Sequence, residues 1–116
     1  EGRSGKNPDI SLLALSNQWF CGKMSREQCE ELFKHGKHLD FIIRESVQRI
    51  GSYALSIKFF DKIHHFPIEK SASGKFQIGK LSFDKLSEIV MHYKIHPLFY
   101  TDNRQPVSVG KPLSRT

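Results

Sequence analysis

The chain has 116 residues, and its 18 Lys and Arg against 12 Asp and Glu give a formal charge of +6. With 38% hydrophobic residues it is long enough for one buried core and too short for two ordinary domains. The positive charge favours an anionic partner, such as a nucleic acid, an acidic membrane surface or a phosphorylated peptide, and does not choose among them.

The first half of the chain predicts a helix followed by strands. Residues 1–17 are rich in Gly, Ser, Asn and charge, and we interpret them as a linker or flanking segment. A capping box formed by Ser25 and Gln28 predicts a helix that continues to about residue 34. Cys29 falls on the apolar side of this helix and is expected to be buried. Strands are predicted at about 40–46, 52–59 and 62–69, and the tight turn at Phe60 and Asp61 makes them an antiparallel meander.

The second half of the chain predicts one more helix. A short strand is expected at residues 75–78, followed by a helix that Asp84 caps and whose apolar residues recur at i, i+3, i+4 and i+7. The segment from residue 96 onward contains three prolines and predicts a long loop with one short edge strand near 107–109. The expected fold class is α+β, with a central antiparallel β-sheet flanked by two α-helices.

An arginine interrupts the most apolar predicted strand, FIIRES at residues 41–46. Alternation puts Ile42, Arg44 and Ser46 on one face and Phe41 and Ile43 on the other, so both faces are apolar and the strand lies in mid-sheet. A guanidinium there loses hydration unless an anion compensates. An internal ion pair with Asp or Glu is one possibility. The polar loop at 45–51 offers a hydroxyl, backbone N–H groups and a second arginine, which favours a phosphate.

Neighbouring strands complete a pocket on the face of Arg44. The residues of the next two strands that can share this face are Ala54, Ser56, His65 and Pro67. Ala54 is small and leaves room above the guanidinium of Arg44. The first helix is expected to cover the face, with Arg26 in its first turn reaching over the rim.

Five segments in this order resemble a Src homology 2 (SH2) domain. They are WFCGKMSR at 19–26, FIIRES at 41–46, GSYALSI at 51–57, IHHF at 63–66 and FDKLSEIVMHY at 83–93. No single segment is decisive, but their shared order and spacing make a strong signal. The resemblance, to adaptor-type members above all, implies an SH2-like domain at residues 18–113 with a tail at 114–116. It implies binding of tyrosine-phosphorylated proteins or peptides in signal transduction.

The resemblance also implies roles for the pocket residues. Arg44 would donate paired hydrogen bonds to the phosphate of a phosphotyrosine, a fork that lysine cannot copy. Arg26 would contact the phosphate and stack beside the phenol ring. His65 would support the pocket floor beside Ala54. The phosphate-binding loop would consist of the Ser46 hydroxyl and the amides of Glu45, Val47 and Gln48.

Some of these residues have plainer interpretations. Arg26 is alternatively a solvated helix residue, Ser46 a turn former and His65 a buried histidine without ligand contact. We expect Arg49 to be an exposed loop charge with no fixed partner. Pro67 departs from the family, because many members carry a lysine at this position, and Arg26 is therefore expected to supply most of the clamp on the ring.

The opposite face of the sheet is expected to bind the residues that follow the phosphotyrosine. In similar domains, an aromatic residue at the position of Phe66 accompanies a preference for polar or acidic ligand residues just after the phosphotyrosine. The third ligand residue after the phosphotyrosine is then aliphatic or proline. Gly79 replaces a tryptophan that turns the ligand in one adaptor subgroup, so the peptide is expected to be extended. The predicted specificity pocket comprises His64, Phe66, Ile78, Gly79, Tyr93 and Leu98, with the loop at 97–105.

Catalysis is not expected. Neither Cys21 nor Cys29 begins the Cys-x5-Arg loop of a tyrosine phosphatase, and the sequence has no glycine-rich nucleotide loop or nucleophile elbow. The adjacent His64 and His65 point to opposite faces of a strand and cannot easily share a metal ion. We therefore expect a non-catalytic module without a cofactor or metal.

The rival hypothesis is a basic nucleic-acid or acidic-phospholipid binding domain. Aromatic and basic residues interleaved between positions 58 and 100 support it, but most of these aromatics are better used as core. We expect no nucleic-acid partner, at most weak membrane contact, and a monomer. Two cysteines form no disulfide framework, and no secretory signal or bilayer-spanning apolar run is visible, which favours the cytoplasm.

Overall fold

The computed structural model describes residues 18–113, so the predicted linker at 1–17 and tail at 114–116 lie outside the described residues. The strands and helices, in chain order, are β1 (Phe20–Lys23), α1 (Arg26–Leu32), a 3₁₀ turn (Phe33–His35), β2 (Phe41–Glu45), β3 (Ser52–Phe59), β4 (Lys62–Lys70), β5 (Phe76–Ile78), β6 (Leu81–Phe83), α2 (Leu86–Ile95), β7 (Phe99–Tyr100) and β8 (Pro106–Val107). The predicted α+β fold with two helices is confirmed, whereas the domain boundaries stay a prediction.

The six strands β1 to β6 form one sheet in sequence order. Strands β2 to β6 are antiparallel, which confirms the predicted meander of β2 to β4. Strands β1 and β6 were not predicted, and β1 pairs with β2 in parallel. The register places Arg44 opposite Ala54, and Ala54 opposite Pro67 on β4. In the same way His65 lies opposite Ser56. The predicted sharing of one sheet face by these residues is therefore confirmed.

Apolar residues on the two faces of the sheet form two separate cores. The larger core joins Phe41 and Ile43 of β2 to Ile89 of α2, and the smaller one joins Ile42 to Cys29 and Phe33, beneath α1. Each of these side chains is fully buried, which stabilises the fold by about 1.5 to 3 kcal/mol per large residue. The predicted burial of Cys29 is confirmed. Arg44 follows Ile42 on this face of β2, so its guanidinium borders the smaller core.

The start of α1 is as predicted, and the start of α2 is not. The capping box is present: the Ser25 hydroxyl accepts a hydrogen bond from the Gln28 amide at 3.0 Å, and the Gln28 side chain accepts one from the Ser25 amide at 2.9 Å. The predicted cap by Asp84 is wrong, because Lys85 is the N-cap residue of α2. The carboxylate of Asp84 binds the Lys75 ammonium at 2.7 Å instead.

The chain after α2 forms a short hairpin. Strands β7 and β8 pair through two residues each, so the predicted edge strand near 107–109 lies at Pro106–Val107. Beyond it, the Leu113 amide donates to the Phe41 carbonyl at 3.0 Å and fastens the end of the domain to β2. In the part of the chain that the structure describes, no helix is long and apolar enough to cross a membrane.

Candidate functional site

The guanidinium of Arg44 is buried, and no carboxylate among residues 18–113 neutralises it. Only 7% of the residue is exposed, because β2 is an interior strand between β1 and β3 and lies under α1. Its Nη1 donates to the Met24 carbonyl at 3.2 Å, and its Nη2 lies 3.4 Å from His65 Nδ1. Nε is buried without a hydrogen-bond partner among residues 18–113, and no ion pair to Arg44 occurs there. The alternative of an internal salt bridge is therefore contradicted within the described chain.

His65 connects Arg44 to the first helix. Its Nδ1 lies 2.8 Å from the Ser56 hydroxyl as well as near Arg44, and its Nε2 lies 3.1 Å from Glu30 Oε2. Because a carboxylate only accepts and a guanidinium only donates, a neutral ring with its hydrogen on Nε2 satisfies both contacts. Burial lowers the pKa of His65 and favours this neutral form, and the nearby guanidinium groups of Arg26 and Arg44 act in the same direction. His65 thus supports Arg44 from below.

Ser46 organises the loop between β2 and β3. Its hydroxyl accepts hydrogen bonds from the amides of Gln48 at 3.2 Å and Arg49 at 3.1 Å, which is the geometry of a turn former. The prediction that Arg49 has no fixed partner is wrong, because its guanidinium lies 3.6 Å from a carboxylate oxygen of Glu69. This carboxylate also accepts from Ser52, so it is held in place at the base of the loop.

A pocket of about 260 Å³ opens between the start of α1 and this loop. Its size is just under the roughly 300 to 1,000 Å³ of typical small-molecule pockets. Five residues of the predicted site line this pocket, together with Ser25 and Glu27, which were not predicted. The five predicted residues are Arg26, Arg44, Ser46, Val47 and Gln48. Glu45, Ala54 and His65 do not belong to this lining. Ala54 lies opposite Arg44 in the ladder, and His65 contacts it from beneath.

Arg26 lies at the rim and has a partner on its own helix. Its Nε is 3.6 Å from Glu30 Oε2, the same oxygen that His65 contacts, and 66% of the Arg26 side chain is exposed. The hydrogen bond from His65 lowers the pKa of Glu30, and Arg26 adds to this effect, so the carboxylate is charged at neutral pH. Sequence reasoning missed Glu30, although its i, i+4 spacing from Arg26 is typical of a helical ion pair.

On the opposite face of the sheet, the Phe99 ring contacts two residues of the predicted specificity pocket. Its ring stacks on His64 at 5.0 Å and on Phe66 at 5.7 Å between centroids. Ile78 and Tyr93 are 4% and 8% exposed. The remaining predicted residues of this pocket differ in exposure, since Leu98 is half-buried and Gly79 exposed. Sequence reasoning included Phe99 within the predicted loop at 97–105 but did not single it out, because its position depends on the β7–β8 hairpin.

A separate pocket of about 510 Å³ lies beyond Phe59, between the turn at Phe60 and the loop before β8. The ring of Phe60 is 64% exposed. Of the predicted specificity pocket, part of the loop at 97–105 lines this pocket, through Thr101, Asp102, Asn103 and Gln105, whereas the six residues named individually do not.

Comparison with known proteins identifies the family. A family model for the SH2 domain matches residues 19–93, and the chain therefore belongs to the SH2 family. The resemblance inferred from the five sequence segments is confirmed. An SH2 domain is a non-catalytic module that binds phosphotyrosine.

Two similar proteins illustrate this membership. The tyrosine-protein phosphatase corkscrew of Drosophila melanogaster is 35% identical over 98 residues, which are 83% of this chain and 12% of that protein. The chain thus spans only a small part of this relative. The solution NMR structure of the SH2 domain of a CRK/CRKL homolog from Monosiga brevicollis superposes with a TM-score of 0.72 at 28% identity, covering 84% of this chain and 88% of the other.

Proposed function

We propose that this domain binds phosphotyrosine within extended segments of tyrosine-phosphorylated signalling proteins in the cytoplasm, and that Arg44 is its anchor. The observation that carries the proposal concerns the guanidinium of Arg44. It is buried, it has no neutralising carboxylate among residues 18–113, and Arg44 lines a pocket. A buried charge without a counter-ion costs stability. A phosphate supplies about −1.5 to −2 charges and three acceptor oxygens, which suits the donors that Arg44 still has available.

The other pocket residues have supporting roles in this proposal. Arg26 contacts the phosphate and the phenol ring from the rim. Ser46 holds the loop by accepting from the amides of Gln48 and Arg49, so that Val47 and Gln48 line the phosphate site, and Glu45 lies outside this lining. Ala54 keeps the space beside Arg44 clear. His65 fixes the orientation of Arg44 without contacting the ligand itself.

The peptide continues, in this proposal, onto the opposite face of the sheet. An aliphatic residue or proline about three positions after the phosphotyrosine binds near Ile78, Gly79, Tyr93 and Leu98. The Phe99 ring forms the wall of this pocket together with His64 and Phe66. We expect the domain to act as a monomer, without nucleic acid and with at most weak membrane contact.

The experiment is fluorescence anisotropy with a labelled phosphotyrosine peptide, its unphosphorylated form and its phosphoserine form. We expect binding of the first peptide only, because the shorter phosphoserine does not reach Arg44. Arg44→Lys is expected to weaken binding by about 30-fold or more, since breaking a desolvated charged pair costs roughly 2 to 5 kcal/mol. Arg49→Lys is the matched control: the same substitution at an exposed loop position that pairs with Glu69, with little expected effect.

Two results would contradict the proposal. One is equal binding of the phosphorylated and unphosphorylated peptides. The other is tight binding of an unmodified oligonucleotide with a steep salt dependence that Arg44→Lys leaves unchanged, which supports the rival nucleic-acid hypothesis.

A further inference from the structure

One carboxylate oxygen contacts two residues of the phosphotyrosine pocket from the side of α1. Oε2 of Glu30 lies 3.6 Å from Arg26 Nε and 3.1 Å from His65 Nε2. Because His65 is largely buried and is itself held by Ser56, it fixes the carboxylate beside the pocket rim. Glu30 is therefore a positioned anion, unlike a solvated surface carboxylate that samples many rotamers.

We propose that Glu30 is an internal competitor of the ligand phosphate, which holds the Arg26 guanidinium until phosphotyrosine displaces it. The proposal rests on the function proposed above. It gives Glu30 the role of a residue that lowers the affinity of the pocket for any anion.

The competition follows from the charges and the geometry. Arg26 belongs to the pocket lining, and its Nε contact with Glu30 occupies one edge of the guanidinium. A phosphate with about two negative charges attracts Arg26 more strongly than one carboxylate does at 3.6 Å, so the phosphate displaces Glu30 from Arg26. Binding must therefore first break the Arg26–Glu30 ion pair. It also meets repulsion from the carboxylate. Both terms reduce the observed affinity.

The test substitution is Glu30→Gln in the 116-residue chain, with Glu31→Gln as matched control. Glutamine keeps an oxygen that accepts from His65 Nε2 and removes the negative charge that holds Arg26. Glu31 lies next in the helix, carries the same charge and pairs with Lys34 at 3.0 Å instead of with a pocket residue. The probes are phenyl phosphate, which contacts only the pocket, and a labelled phosphotyrosine peptide.

We expect Glu30→Gln to raise the affinity for both probes by about two- to fivefold, the range typical of an exposed ion pair. Glu31→Gln is expected to change it by clearly less. In an Arg26→Ala background the gain from Glu30→Gln should fall by at least half. The Arg26 Nε–H resonance in NMR spectra should move on phenyl phosphate binding toward the position that it already has in Glu30→Gln.

Three results would overturn the inference: unchanged or lower affinity of Glu30→Gln, an equal gain in Glu31→Gln, or an undiminished gain without Arg26. The last two would show a general charge effect. If the wild-type chain binds the phosphotyrosine peptide and Arg44→Lys abolishes this binding, while Glu30→Gln gives no gain, only this inference fails. If the wild-type chain does not bind the peptide, the proposed function fails and the inference fails with it.

Discussion

Replacing Pro67 by lysine should restore a cation that many SH2 domains have in this pocket. Pro67 is exposed on β4 and lies two strands away from Arg44, a distance of about 10 Å between backbones. Strand β4 pairs with β5 only at Glu69 and Lys70, so position 67 lies on a stretch with an open edge, where proline is tolerated. A lysine at this position extends over the same sheet face as Arg44 and is fully hydrated before binding.

The size of the effect follows from this exposure. An exposed ammonium about 4 Å from a phosphate gains about 1 kcal/mol per unit charge in water and loses part of this to side-chain ordering. We expect Pro67→Lys to tighten phosphotyrosine binding about two- to fivefold. Arg26→Ala in the wild-type chain removes a charge-assisted contact from an exposed rim and should weaken binding about five- to tenfold.

Isothermal titration calorimetry of a double-mutant cycle separates the two cations. If Arg26 supplies most of the clamp because Pro67 cannot, the loss caused by Arg26→Ala should be at least halved in the Pro67→Lys background. An equal loss in both backgrounds, or no loss in the wild-type chain, would refute the reasoning, because the ring clamp would then not depend on Arg26.

Three further predictions concern other parts of the domain. Phe99→Ala removes the ring that stacks on His64 and Phe66. It should change the affinity for peptides that differ in the third residue after the phosphotyrosine and leave phenyl phosphate binding unchanged. Equal effects on both probes would count against the second pocket. Burial lowers the pKa of His65 below 6.5, so the stability that His65 contributes is complete above pH 6.5 and is lost as the pH falls through the lower folded-state pKa. In urea unfolding, the free energy of unfolding should therefore fall less between pH 7.5 and 5.5 for His65→Gln than for the wild-type chain. Identical losses would contradict this. Gly110→Ala places a Cβ 2.9 Å from Leu39 Cβ and 3.0 Å from its carbonyl oxygen, and it should lower the free energy of unfolding by about 1 to 3 kcal/mol, whereas an unchanged melting temperature would exclude this clash.

The sequence was sufficient to predict the parts of the domain that depend on local patterns. Alternation in β2 correctly placed Arg44 and Ile42 on the α1 side of the sheet, and the capping box correctly located the start of α1. These features depend on side-chain periodicity and on hydrogen bonds within a few residues. The location of Arg44 on the sheet face that borders the pocket was predictable for the same reason.

Features that depend on distant parts of the chain were not predictable in this way. The Asp84 cap failed because Lys75, nine residues earlier, takes the carboxylate. Arg49 is exposed as expected, but it pairs with Glu69 on β4, a partner that the sequence around Arg49 does not indicate. Phe99 lies against His64 and Phe66 of β4 in a segment that is paired with β8, where the Leu98 amide donates to the Val107 carbonyl at 2.7 Å. Each of these contacts joins segments whose approach is set by the folded topology.

The most direct measurement is a crystal structure of the chain with a bound phosphotyrosine peptide. We predict that the phosphate lies in the pocket between α1 and the loop after β2, with two N–H groups of Arg44 donating to its oxygens at about 2.7 to 2.9 Å. Contact between the phosphate and exposed lysines alone, with the Arg44 guanidinium left against the Met24 carbonyl and His65 and out of reach of the ligand, would contradict the proposed role of Arg44.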